Sequence, residues 1–143
     1  MESEIRVTKL THDDLVNILS TALYANDIIG ASYNNKIYES LEETNGNCFE
    51  DKLADMLLAG HSIRFYDYEA YGESHSDKCI GFEDDDYDED SIGVYEVCLQ
   101  DFLDTASTKK GYRLVNEVIS GEGDFYIAFN FLQRLLFGEE IYG

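Results

Sequence analysis

The chain of 143 residues has no proline and no tryptophan, and only ten Lys and Arg against thirty Asp and Glu. At average usage a chain of this length would hold about seven prolines. Its turns must therefore be made by Gly, Asn and Asp. The shortage of bases leaves a formal charge of −20. A field of that sign repels phosphate, which excludes unaided binding to DNA, RNA or anionic membranes. Cysteine is also scarce: Cys48, Cys79 and Cys98 are an odd number at wide spacing, with no CxxC pair. That argues against a disulfide framework and for reduced thiols, with Cys48 and Cys98 expected in the core. No apolar run approaches the roughly 18 residues of a membrane span. MESEIRVTKL lacks the apolar stretch of a signal peptide, so a cytoplasmic location is expected.

Apolar residues still make up 44% of the chain, enough for a core, so it is not a disordered acidic tail. The aromatic set is eight Phe and eleven Tyr. Each tyrosine offers apolar area and a hydroxyl that can stay wet.

Residues Glu4–Lys9 have the composition of a short strand. Thr11 then caps a helix, with Asp14 three residues on as a capping-box partner. Leu15, Ile18, Leu19, Ala22 and Leu23 form one apolar stripe along it. Gly30–Glu43 is mixed, and Asn34-Asn35 is a turn signal that would join short strands. Asn47 can cap a helix with Glu50 three beyond, a buried stripe at Phe49, Leu53, Met56 and Leu57, and a stop at Gly60. Ser62–Tyr71 and Ile92–Leu99 have strand composition and should pair antiparallel. In the first, Ile63 and Phe65 share a face, yet the same parity continues as Asp67 and Glu69. A bulge or an early exit from the core is the expected remedy. Three helices should finish the chain, at Gln100–Thr108, at Tyr112–Ser120 and after the Asp124 cap, ending before Gly138. Ten of the thirteen residues in FYIAFNFLQRLLF are apolar and cover every face. That helix should be wrapped by neighbours or sit in an interface, which leaves a homodimer open. The expected class is α+β, a single acidic domain of four to five helices packed on a small antiparallel sheet.

The connection between the paired strands runs to about twenty residues, a length that is usually functional or disordered. It carries the densest charge. From Asp67 to Asp90, 24 residues hold eleven acids and one base, Lys78. The stretch Gly81–Asp90, GFEDDDYDED, has seven acids in ten. The simplest account is a solvated loop that keeps the protein soluble. Calcium is a second: Asp84, Asp86 and Asp88 alternate like the start of an EF-hand loop. Glu89, however, stands where that loop needs Gly, and Tyr95 where it needs the bidentate Glu.

A third account is phosphate mimicry. Duplex DNA presents one charge per roughly 1.7 Å of axis. Same-face residues of a strand repeat every ~6.6 Å, so Asp67, Glu69 and Glu73 would form a spaced row, and the expected partner contacts are these three with Glu83, Asp84, Asp85, Asp86, Tyr87, Asp88, Glu89 and Asp90. Tyr66, Tyr68, Tyr71 and Tyr87 interleave with this charge and suit stacking on Arg or Lys.

No catalytic signature accompanies these features. His12, His61 and His75 lack the paired spacing of a zinc site, and His12 is expected to be exposed. Gly121-Glu122-Gly123 reads as a turn, not a phosphate loop. The expectation is a non-enzymatic binding protein without cofactor or metal. It would imitate nucleic acid and so inhibit a basic nuclease or nucleic-acid-binding protein. In size and charge, though in no motif, it resembles anti-restriction and anti-CRISPR proteins. An immunity protein or antitoxin against a basic nuclease toxin, or a calcium-binding module using residues 83–90, are the alternatives.

Overall fold

The computed structural model describes residues 6–70, 73–84 and 91–143, with residue 84 through its backbone. These residues form six helices and one four-stranded antiparallel sheet, an α+β fold. In chain order the elements are α1 (His12–Leu23), β1 (Ile29–Ser32), α2 (Asn35–Glu39), α3 (Phe49–Leu58), β2 (Ile63–Asp67), β3 (Cys79–Asp84), β4 (Ser91–Val97), α4 (Leu99–Ala106), α5 (Lys109–Ile119) and α6 (Phe125–Phe137). Among the described residues no helix is long and apolar enough to cross a membrane.

Local chemistry explains most boundaries. Thr11 and Asp14 form the reciprocal capping box of α1, at 3.1 and 2.9 Å. The Asp124 side chain caps α6, and Gly138 ends it in the left-handed region at φ 79°. The expected α1 stripe is buried at Leu15, Ile18, Leu19 and Ala22. The all-round apolar α6 packs against α1, α4 and α5, and it supplies Phe131, Leu132, Leu135 and Leu136 to the middle of the core.

Several boundaries differ from expectation. Residues 6–10 form no strand; the Val7 N–H donates to Ser107 Oγ at 2.8 Å. Asn34 does not turn between strands. Its side chain accepts the Ile37 N–H and starts α2, the Asx habit of competing for nearby backbone donors. Helix α3 starts one residue late, at the N-cap Cys48, whose N–H donates to Asp51 at 3.2 Å. Helix α4 repeats this Cys-x-x-Asp start, with Cys98 N–H donating to Asp101 at 2.9 Å. The two cysteines are therefore cap residues rather than core thiols: Cys48 is exposed and Cys98 half-buried. Phe49, expected in a buried stripe, is exposed.

The sheet order is β1-β2-β4-β3. β2 and β4 pair antiparallel as expected, with Phe65 opposite Tyr95 and Ile63 opposite Val97. The segment between them is not one long loop. It contains β3, which pairs with β4 and forms an edge. A bulge between Cys79 and Gly81 interrupts β3, and a bulged, short edge strand resists unwanted pairing.

The parity of β2 runs unbroken through Asp67. Ile63, Phe65 and Asp67 are all buried on one face, so neither bulge nor exit resolves the misplaced carboxylate. The core takes it in and gives it partners.

Candidate partner interface

The opposite face of the same strands is wet. Arg64 and Glu96 stand opposite each other in β2 and β4 and form an ion pair at 3.4 Å, with both side chains well exposed. Tyr66 follows on that face, and its hydroxyl shares a hydrogen bond with Ser32 Oγ at 2.8 Å. Next comes Tyr68, 45% exposed just beyond the end of β2. Its ring lies over Gly30 of β1: a Cβ built there would come within 2.5 Å of the Tyr68 hydroxyl. A bare backbone under an aromatic ring lets the ring lie close to the sheet. Beside these residues a groove of about 410 Å³ opens between the sheet and α2, lined by Ser32, Tyr33, Ile37, His61, Arg64 and Glu96 among others.

The β3 edge adds exposed Ile80 and Phe82, next to exposed Glu83. Glu83 stands opposite Ile92 in the register, and Asp84 opposite Ser91. Asp85, Asp86, Tyr87, Asp88, Glu89 and Asp90 lie outside the described residues, as does Tyr71.

The expected row of Asp67, Glu69 and Glu73 does not form. Asp67 is fully buried, so it cannot face a partner. The strand ends there, Glu69 is half-buried in the following turn, and Glu73 is exposed further along, before β3. Nor is exposed negative charge confined to the hairpin. Asp13, Asp27, Glu39, Glu43, Asp104, Glu122 and Glu139 are exposed too, on segments spread along the chain. The Lys and Arg ion pairs between described residues converge on two carboxylates. Arg64 meets Glu96, while Lys110 and Arg134 share Glu140.

Two buried acids escaped the sequence reading. Asp55 of α3 accepts hydrogen bonds from the backbone N–H and the side-chain amide of Asn45, at 2.9 and 3.1 Å. His12, expected at the surface, is mostly buried beside it, with Nε2 3.4 Å from Asp51 and 3.6 Å from Asp55. This cluster ties the start of α1 and the 42–47 loop to α3. The other acid is Asp67, whose neighbours include Tyr142, Tyr95 and His75. Burial pushes its carboxyl above the ordinary range, against hydrogen bonds from Tyr142 and the Glu69 N–H, which pull it down. His75 donates its backbone N–H to the Tyr95 hydroxyl and sets its ring edge against Phe137. Among the described residues no group of His, Cys, Asp and Glu is arranged to hold a metal ion. Parity places Asp67 on the face of Ile63 and Phe65, while Asp55 lies off the apolar stripe of α3, and no local pattern supplies the partners that let either acid be buried.

Comparison with protein-family models, with curated proteins and with solved structures returns no match.

Proposed function

We propose that this chain is a non-enzymatic binding protein that captures a basic partner, a nuclease or a nucleic-acid-binding protein, by imitating the charge of nucleic acid. The observation that carries the reading is the pairing of a charge of −20 with an exposed sheet face on which Tyr68 is seated over Gly30 beside Tyr66. The charge would steer a cationic surface in and raise its on-rate. The seated tyrosines would supply aromatic faces for its Arg and Lys, at low entropic cost because their rings are already placed. Glu83, exposed on β3 opposite Ile92, would add negative charge beside that face, and the exposed Glu73 and the 84–90 run are further candidate contacts. Asp67 takes no part, since it is buried.

The test is binding to a panel of basic nucleases and DNA-binding domains, followed across salt and in competition with duplex DNA. Expected is a complex that weakens steeply between low and moderate salt and that DNA displaces. Asp84, Asp85, Asp86 and Asp88 changed together to Asn should lose binding and keep the fold. Affinity indifferent to salt, or undiminished in that variant, overturns the reading.

A further inference from the structure

The groove between the sheet and α2 gathers hydrogen-bond donors, against the composition of a chain with thirty acids and ten bases. Arg64 meets Glu96 through Nε at 3.4 Å, which leaves its two Nη groups, four N–H donors, without a partner among the described residues. Asn34 Oδ1 accepts the Ile37 N–H, while the two protons on Nδ2 are unspent. Ser32 Oγ and Tyr66 Oη share one hydrogen bond at 2.8 Å. Two hydroxyls own two protons, so one remains whichever of them donates. The His61 imidazole, which holds at least one N–H, also has no partner among the described residues. These donors converge from the end of β1, the N-cap of α2, the turn after α3, and β2. Among the described residues Glu96 is the one carboxylate lining the groove, and Arg64 already faces it.

A donor surplus of this kind is complementary to an oxyanion. The Nη edge of a guanidinium matches the two oxygens of a carboxylate in a bidentate fork. The charge of −20 narrows the choice, because each negative charge brought to the surface is penalised. A monoanion therefore enters at lower cost than a dianionic phosphate. The volume of about 410 Å³ lies in the range of small-molecule sites. We infer that the groove binds a small monoanionic carboxylate, its oxygens on the Nη edge of Arg64 and its apolar body against Tyr33 and Ile37. Glu96 is a positioning residue that holds the fork by Nε. The contact needs no basic partner, and it uses none of the acids changed in the partner test.

The deciding experiment is an amide NMR titration of the intact chain with sodium benzoate. Sodium chloride is lowered in step so that ionic strength stays fixed, since screening alone acts on a chain this acidic. Expected are saturable shifts at the amides of Ser32, His61, Arg64 and Tyr66. Benzamide, of the same shape but neutral, should not produce them, and the phenyl phosphate dianion should bind more weakly than benzoate. Arg64→Gln should weaken benzoate binding about tenfold, the size of a charge-assisted contact. Arg64→Lys keeps the charge without the fork and should restore only part of that loss. The Arg64 side chain is 50% exposed, so neither variant removes core packing. Benzoate shifts no larger than those of benzamide, benzoate affinity unchanged in Arg64→Gln, or tighter binding of phenyl phosphate than of benzoate overturns the inference. The wild-type comparison of benzoate with benzamide decides even if a variant fails to fold.

Discussion

Gln133 Oε1 accepts the backbone N–H of both Ile141 and Tyr142, at 2.7 and 2.6 Å, while its Nε2 donates to the Tyr142 carbonyl at 3.0 Å. A fully buried side chain thus does for the last residues what a neighbouring strand would do. It brings Tyr142 to Asp67. Gln133→Leu keeps the volume and leaves two N–H groups without that acceptor. The expected cost is about 2–4 kcal/mol, read by urea unfolding, with faster trimming of the C-terminus by carboxypeptidase. Stability within about 0.5 kcal/mol of wild type, the range of a neutral surface change, would show that water replaces the glutamine.

Gly30 should matter more for binding than for folding. The atom a new Cβ would meet is the tip of Tyr68, which is exposed and able to swing aside. Gly30→Ala should therefore cost no more than about 1 kcal/mol yet displace the ring. In Tyr68→Ala the same change should be smaller still, and a double-mutant cycle measures the difference. Equal effects in both backgrounds would mean that the ring does not rest on Gly30.

Gly111 behaves differently. A Cβ there would lie 1.9 Å from the Thr105 carbonyl oxygen, which is backbone and cannot rotate away. Gly111→Ala should force α4 and α5 apart at their junction and cost roughly 3 kcal/mol or more, the size of other overpacked sites. Thermal unfolding checks this, and a melting temperature equal to wild type would contradict the close approach.

Screening should stabilise the free protein. With thirty acids, ten bases and ion pairs converging on Glu96 and Glu140 among the described residues, like-charge repulsion works against compaction. Moderate NaCl is expected to raise the melting temperature. A fall would mean that attraction between unlike charges outweighs the repulsion.

Two tyrosines should resist alkali. Burial, joined for Tyr142 by its hydrogen bond to Asp67, pushes the phenols of Tyr142 and Tyr95 above their ordinary value. Because the folded value is the higher one, their contribution is present below about pH 10 and is lost as pH rises beyond it. Absorbance titration should show these phenolates appearing together with alkaline unfolding. Smooth ionisation of all eleven tyrosines in the folded state would contradict the burial.

Much of the fold was legible because it rests on local rules. THDD at α1, the Asp124 and Gly138 punctuation of α6, and the apolar stripe of α1 need only nearest-turn chemistry and periodicity, and they fell where expected. The antiparallel pairing of β2 with β4 was legible from composition. β3 was not, since a bulged edge strand in an acidic segment lacks alternation. The candidate site was half legible. Tyr66, Tyr68, Glu73 and Glu83 reach the surface, and Asp67 does not.

By itself the sequence determined the class of fold and the sign and size of the charge, because these follow from composition and short-range pattern. Only the tertiary structure decided the fates of Asp67, Asp55 and His12. A buried polar group is tolerated where partners from distant segments converge on it, Tyr142 on Asp67 across 75 residues and Asn45 on Asp55 across 10. That convergence belongs to packing, which no local pattern encodes.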